Sequence, residues 1–211
     1  MVLIGPPGSG KGTQGQFLAG QLGLPHVSIG DVFREVSNGS DSIGKLLKEY
    51  MTQGNLVPSQ IADGIIKNFL SSEKYKAGYI LDGYPRNVAQ AQFLDSISDQ
   101  VKNVIYFEIN KELALKRILG RFSCKNCNKS FNSNFDGPPG NNACNNCGSS
   151  DFFLRTDDSK NIIEKRIKVY NEQTYPLIKY YENIRSNFYT VDAGVSKEEV
   201  TLQLLNILKK I

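Results

Sequence analysis

Gly5-Pro6-Pro7-Gly8-Ser9-Gly10-Lys11 follows a short apolar run and precedes a helical pattern. This is the G-x-x-x-x-G-K spacing of a phosphate-binding loop. Its glycines let backbone N–H groups curl around an anion, the helix N-terminus adds partial positive charge, and the lysine reaches the outer phosphates. The plainer reading is a glycine-rich strand-to-helix turn with an exposed lysine, but the flanking elements come in the order the motif requires. The general motif continues with Ser or Thr to support Mg2+; here that position is Gly12, followed by Thr13.

All four cysteines fall in one stretch, Cys124-x2-Cys127-x16-Cys144-x2-Cys147. Two C-x-x-C knuckles at this spacing can give four thiolates to one tetrahedral ion, zinc or iron, with no open position for catalysis. Two disulfides are the rival, disfavoured in a reducing compartment. A nucleic-acid ribbon would need basic and aromatic side chains on its surface. The stretch offers Lys125, Lys129, Phe131 and Phe135, diluted by eight asparagines between Asn126 and Asn146. Those lysines barely offset the negative charge of a four-thiolate site, so nucleic-acid binding is disfavoured.

Asp82 ends an apolar run, where burying a carboxylate without a cation is costly. In phosphate-loop enzymes such a residue supports Mg2+, commonly through water. The single histidine, His26, begins a strand and reads as a packing or capping residue.

Positioning these groups needs a scaffold. The chain has 211 residues, 40% hydrophobic and 22% charged, with net charge +4, so one core of good size is expected. The charge is too mild to argue for nucleic acid or membrane, and no run approaches the roughly 20 apolar residues of a membrane span. No secretory leader precedes the phosphate loop, which makes a cytoplasmic protein the expectation. Strands are expected near residues 2–4, 26–29, 79–81, 104–107 and 188–191. Helical patterns fall at 11–22, 31–36, 43–52, after Pro58 with Ser59 as N-cap, at 87–97, 112–121, and 159–181 with a bend at Pro176. Ser196-Lys197-Glu198-Glu199 has the form of a capping box opening a last helix. Asp31 could cap the helix at 31–36, and Asn87-x-x-Gln90 also has capping-box form. This alternation predicts an α/β fold, a doubly wound five-stranded parallel sheet. Residues 121–158 read as an insertion.

The variant GPPGSGKGTQ (5–14) resembles the nucleoside monophosphate kinases, adenylate kinases in particular. SIGDVFR (28–34), GNLVP (54–58), LDGYPRNVAQ (81–90), KRILGR (116–121), LRTDD (154–158), EKRIKVY (164–170) and YTVDAG (189–194) are similar to further family segments in the same order. The resemblance implies a P-loop core over 1–27, 58–119 and 159–211, a monophosphate-binding segment over 28–57, and a zinc-bearing lid over 120–158. It implies the reaction ATP + AMP ⇌ 2 ADP with Mg2+, in a monomer with structural Zn2+ on Cys124, Cys127, Cys144 and Cys147. Family members often begin a few residues earlier, which suggests a start upstream of Met1.

Phosphoryl transfer between nucleotides needs alignment and charge neutralisation, since the acceptor phosphate is already ionised. A ring of arginines is therefore expected. Any single arginine would more simply be a solvated charge or an ion pair; the motif positions favour more. By resemblance the catalytic set is Lys11, Asp82, Arg86, Arg121, Arg155 and Arg166. ATP would meet Gly8, Ser9, Gly10, Lys11, Gly12, Thr13, Arg117, Arg121, Ser130, Phe131 and Val195, with Arg117 against the adenine. AMP would meet Ile29, Arg34, Asn55, Leu56, Val57, Gly83, Tyr84, Pro85, Arg86, Gln90, Arg155 and Arg166, with Gln90 reading the base edge. Many adenylate kinases carry Thr where this chain has Ile29, which removes one hydroxyl contact.

Two alternatives stay open at this level. A UMP/CMP kinase is the nearer one, although its lid is usually short. A nucleotide-gated zinc-ribbon binding protein is the other; it would want an N-K-x-D base-recognition motif, which is absent, and it leaves the arginines unexplained. The metal was expected to replace a core that 120–158 is too small and polar to form.

Overall fold

Apolar runs and glycine punctuation set the order of elements in the computed structural model, which describes residues 1–97, 101–135, 142–184 and 187–211. The first half contains β1 (Val2–Ile4), α1 (Lys11–Leu22), β2 (His26–Ser28), α2 (Ile29–Ser37), α3 (Ser42–Thr52), α4 (Ser59–Leu70), β3 (Ile80–Asp82) and α5 (Val88–Ile97). The second contains β4 (Val104–Glu108), α6 (Lys111–Leu119), β5 (Arg121–Cys124), β6 (Ser130–Asn132), β7 (Phe152–Phe153), α7 (Lys160–Val169), α8 (Pro176–Ile184), β8 (Phe188–Asp192) and α9 (Lys197–Leu208).

The main sheet is parallel, in the order β2-β3-β1-β4-β8. Alternation along each strand divides the apolar side chains between two faces. Val2, Ile4, Leu81 and Val104 pack toward α4, α5 and α8, against Ala62, Ile66, Leu94 and Tyr181. Leu3, Ile80, Ile105, Phe107 and Val191 pack toward α1 and α9, against Leu18, Val200 and Leu204. A sheet covered on both faces needs uninterrupted apolar strands, which is why these runs lack polar alternation. Chain direction across the sheet reverses around β1, and the crevice at the carboxyl ends of the strands is where open α/β sheets hold ligands.

Several local expectations are corrected. Pro58 occupies the N-cap position of α4 and Ser59 is its first helical residue, making no cap bond. Ser28, not Asp31, caps α2: its hydroxyl accepts from the Asp31 N–H at 3.4 Å. Asn87 Oδ1 accepts from the Gln90 N–H at 2.9 Å, half of a capping box, but the Gln90 side chain does not return the bond. The helix expected over 159–181 is interrupted before the proline. α7 passes into a wider turn, Tyr170–Thr174, where the Tyr175 N–H donates to the Tyr170 carbonyl at 2.9 Å, and α8 starts at Pro176. Proline lacks an N–H and crowds the preceding turn, so the ladder breaks ahead of it. Arg121, expected at a helix end, opens β5 instead. The capping box at Ser196 is formed, with the Glu199 carboxylate accepting from the Ser196 N–H at 3.0 Å.

The cysteine stretch builds a second, antiparallel sheet, β6-β5-β7. Contrary to expectation it has a small core. Phe122, Phe131 and Phe152 lie 5.5 Å apart, centroid to centroid, beside buried Cys124 and Cys144. Each of the three short strands contributes one of these rings. Phe131 is therefore unavailable as a nucleic-acid platform.

Candidate active site

The phosphate loop joins β1 to α1. Its curvature depends on Gly8, which has φ +84°, and a Cβ there would stand 2.4 Å from the Ala114 carbonyl oxygen. Only glycine meets both demands. The Lys11 ammonium folds back to donate to the Pro6 carbonyl at 3.1 Å. Burial lowers its pKa to about 8, opposed by the Asp82 carboxylate and reinforced by Arg86, Arg166 and Arg121. The departure at Gly12 has a local cause: a Cβ at that residue would lie 3.2 Å from Asp82 Oδ2. Burial pushes the Asp82 carboxyl up, but the His26 contact, Lys11 and Arg86 together hold it below the usual range. His26 Nε2 stands 3.7 Å from Asp82 Oδ2, so the histidine backs the acidic residue as well as packing. An ionised carboxylate beside the loop lysine fits a water-mediated partner of Mg2+.

The arginines converge on this loop, each held by a carboxylate or carbonyl. Arg121 makes a two-pronged contact with Asp158, at 2.8 and 2.6 Å. Arg166 Nη1 reaches Asp157 Oδ2 at 2.8 Å and Asp158 Oδ1 at 3.2 Å. Arg34 pairs with Asp31, Arg155 Nη2 lies 4.0 Å from Asp31 Oδ1 and donates to Ser130 Oγ at 3.3 Å, and Arg86 Nε donates to the Gly83 carbonyl at 2.6 Å. Burial lowers Arg155 to about 10, aided by Arg121 and Arg34, and lowers Arg166 and Arg86 as well. Burial raises Asp157, but Arg166, Arg34, Arg121 and Arg155 more than reverse it. Burial would lower Arg121 too, but its contact with Asp158 raises it, so the carboxylates offset the crowding of like charges.

A cleft of about 110 Å3 opens beside them. Of the residues expected around AMP, Ile29, Arg34, Asn55, Leu56, Val57, Gly83, Tyr84, Arg86, Gln90 and Arg166 line it; Pro85 and Arg155 do not. Met51, Asp157, Val169 and Tyr170 line it too; the last three lie in the segments 154–158 and 164–170 but were given no role there, and only Met51 had no sequence signal, since helix periodicity does not say which face meets a cleft. Tyr84 is buried, its hydroxyl donating to Asp63 Oδ1 at 2.6 Å, so it supports the wall from behind.

On the donor side, Arg117 donates to the carbonyls of Ala193 and Val195 at 2.6 and 3.0 Å. Its guanidinium lies 5.8 Å from the ring of Phe135, a half-exposed aromatic that spacing alone did not connect to this arginine. Ser130 is beside Arg155, whereas the Phe131 side chain is turned into the aromatic core of β5–β7.

The four cysteines form the metal-type cluster found among the described residues, all Sγ atoms within 4.8 Å. Cys124–Cys147 and Cys127–Cys144 are 3.6 and 3.5 Å apart. Four sulfurs at about 2.3 Å from zinc stand roughly 3.8 Å apart, whereas a disulfide needs about 2 Å. The donor set fits a metal. Both knuckles repeat one turn: the Asn128 and Gly148 N–H groups donate to the carbonyls of Cys124 and Cys144 at 3.0 and 2.8 Å. Both residues have positive φ, 57° and 76°.

A sequence model described as "Adenylate kinase" matches residues 3–186. Relatives named adenylate kinase include that of Rickettsia africae (strain ESF-5), 49% identical over 209 residues, covering 99% of this chain and 98% of the relative. Those of Rickettsia prowazekii (strain Madrid E) and Rickettsia typhi (strain ATCC VR-144 / Wilmington) are 48% and 46% identical, each at 99% and 98% coverage. With the phosphate loop, the arginine cluster and the adjoining cleft in one crevice of a doubly wound sheet, the chain belongs to the adenylate kinase family.

Proposed function

We propose that this crevice transfers the terminal phosphoryl group of ATP to AMP, giving two ADP, with ATP on the phosphate loop and AMP in the cleft. The observation that carries the reading is the convergence of cations: Lys11 lies within electrostatic reach of Arg86, Arg121 and Arg166. Arg34 and Arg86 hold the acceptor phosphate. Lys11, Arg121, Arg155 and Arg166 neutralise the group in transit, Lys11 leaving the Pro6 carbonyl and Arg121 and Arg166 leaving Asp157 and Asp158 for phosphate oxygens. No general base is required, because the attacking oxygen is already ionised. Mg2+ carried in with ATP would supply further neutralisation of phosphate charge, and Asp82 is the residue that would help to hold it.

Cys124, Cys127, Cys144 and Cys147 would hold a zinc ion that ties the two knuckles together, in a lid over residues 120–158 with Arg121 and Arg155 toward its two ends. The segment 28–57 closes on the acceptor. Every residue in this scheme comes from one chain, which suits a monomer, and reduced thiols suit the cytoplasm. Among the described residues no helix is long and apolar enough to cross a membrane. The experiment is a coupled assay offering ATP with AMP, UMP, CMP or GMP in turn. AMP is the expected acceptor; preference for UMP or CMP would move the reading to that kinase class, and no turnover with any of them would reject it.

A further inference from the structure

Ser59 was expected to cap α4, yet its hydroxyl is engaged elsewhere. Asn87 Nδ2 and Gln90 Nε2 both donate to Ser59 Oγ, at 3.2 and 3.3 Å. Gln90 is only 2% exposed, and its Oε1 accepts from the Arg86 N–H at 2.7 Å. The amide is thus held at both ends. Arg86 sets which end is oxygen, because a reversed amide would set N–H against N–H. Ser59 sets the angle at which the group faces the cleft. One N–H and one oxygen lone pair of Gln90 remain unclaimed by these bonds. That donor–acceptor pair matches adenine, whose edge offers a ring-nitrogen acceptor beside an amino donor, and mismatches hypoxanthine, where a carbonyl replaces the amino group. Ile29, which also lines the cleft, gives no such reading, being apolar and 3% exposed.

We infer that Ser59 is a positioning residue for acceptor-base selection, acting through Gln90. The inference rests on the proposed role of the cleft as the AMP site. α4 follows directly on residues 28–57, so the base reader is tethered to the helix that continues that segment.

The test compares Ser59→Ala and Ser59→Thr with the unaltered enzyme, using AMP and IMP as acceptors. Alanine is well tolerated in a helix, so folding is retained. Without Ser59 the amide must be ordered by the ligand itself, an ordering cost expected to weaken binding by about tenfold. In Ser59→Ala the KM for AMP should rise about tenfold, with kcat within about twofold, the KM for ATP unchanged, and the AMP-over-IMP preference reduced. Ser59→Thr should restore all three. An unchanged KM and base preference in Ser59→Ala would overturn the inference, as would equal losses toward ATP and AMP. Calorimetric titration of AMP into the intact protein and Ser59→Ala is run alongside. If the unaltered protein turns over no monophosphate, the kinase reading fails by itself, while a tenfold difference in AMP binding still decides the role of Ser59.

Discussion

Replacing Asp158 by asparagine should reveal how the crevice tolerates its own charge. The Asp158 side chain is 6% exposed, against 20% and 21% for its partners Arg121 and Arg166. Asparagine keeps the shape and one acceptor oxygen but removes the charge facing both guanidiniums. Breaking a buried ion pair by removing one partner costs about 3–5 kcal/mol. Since the arginines retain some solvent and Asp157 still faces Arg166, about 2–3 kcal/mol is expected here. For a chain of this size each kcal/mol moves the melting temperature by roughly 2–4 °C, so a drop of about 4–12 °C follows. Bound phosphates would supply the missing negative charge. Calorimetric melting of Asp158→Asn should therefore show a large deficit without nucleotide and a much smaller one with saturating ADP. A melting temperature within about 1 °C of the unaltered protein would refute the reasoning, as would a deficit of the same size with ADP present.

Other perturbations test separate parts of the site. Lys11, with a pKa of about 8 against an ordinary 10.5, is a base whose charged form the fold disfavours, so it lowers stability while protonated; that penalty is relieved as pH rises through 8 toward 10.5. Nucleotide binding needs the charge, so kcat/KM for ATP should fall by about tenfold per pH unit above pH 8, whereas a flat profile to pH 10 would contradict the shift. Asp82 and Asp157 are held below the ordinary 3.8, so their contribution is full above about pH 4 and is lost as pH falls below it, visible as an acid limb in pH-dependent melting. Chelating the metal should lower the melting temperature markedly while sparing turnover at moderate temperature; metal-free protein of unchanged stability would remove the staple from the account. Gly8→Ala should cost at least a hundredfold in kcat/KM for ATP, since the added Cβ meets backbone 2.4 Å away at φ +84°, and near-normal kinetics would show that the loop can shift.

The layered sheet was legible because buried parallel strands leave a strong signal, uninterrupted apolar runs ended by glycine or aspartate. The phosphate loop and the cysteine knuckles were legible because their geometry is local: each is made by residues within a few positions of one another. What stayed hidden was tertiary. Ser59 looked like a helix cap because the sequence around Pro58 supplies the right residue types; only the approach of α5 shows that its hydroxyl is spent 28 and 31 residues away. The aromatic core of β5–β7 was hidden because Phe122 and Phe131 stand among mostly polar neighbours, and strands of two to four residues have too short a period to read. Phe135 gave no sign of Arg117 for the same reason.

The carboxylates explain why so many arginines can share one crevice before any nucleotide arrives. A cation cluster tight enough to grip a transferring phosphoryl group is, without its ligand, a cluster of like charges partly removed from water, and the lowered pKa values of Arg155, Arg166 and Lys11 express that cost. Asp31, Asp157 and Asp158 offset it by contacting Arg34, Arg121, Arg155 and Arg166 along the edge of the crevice. On the proposed reading they also keep each guanidinium in place, so that binding would exchange one set of oxygens for another rather than order long side chains afresh. Asp31 is near both Arg34 of α2 and Arg155 beyond β7, which places one carboxylate between the acceptor segment and the far end of the cysteine-bearing sheet. An anion entering between those two arginines would displace that carboxylate and draw both flanks toward itself, so the charge that neutralises the reaction is the same charge that would close the site.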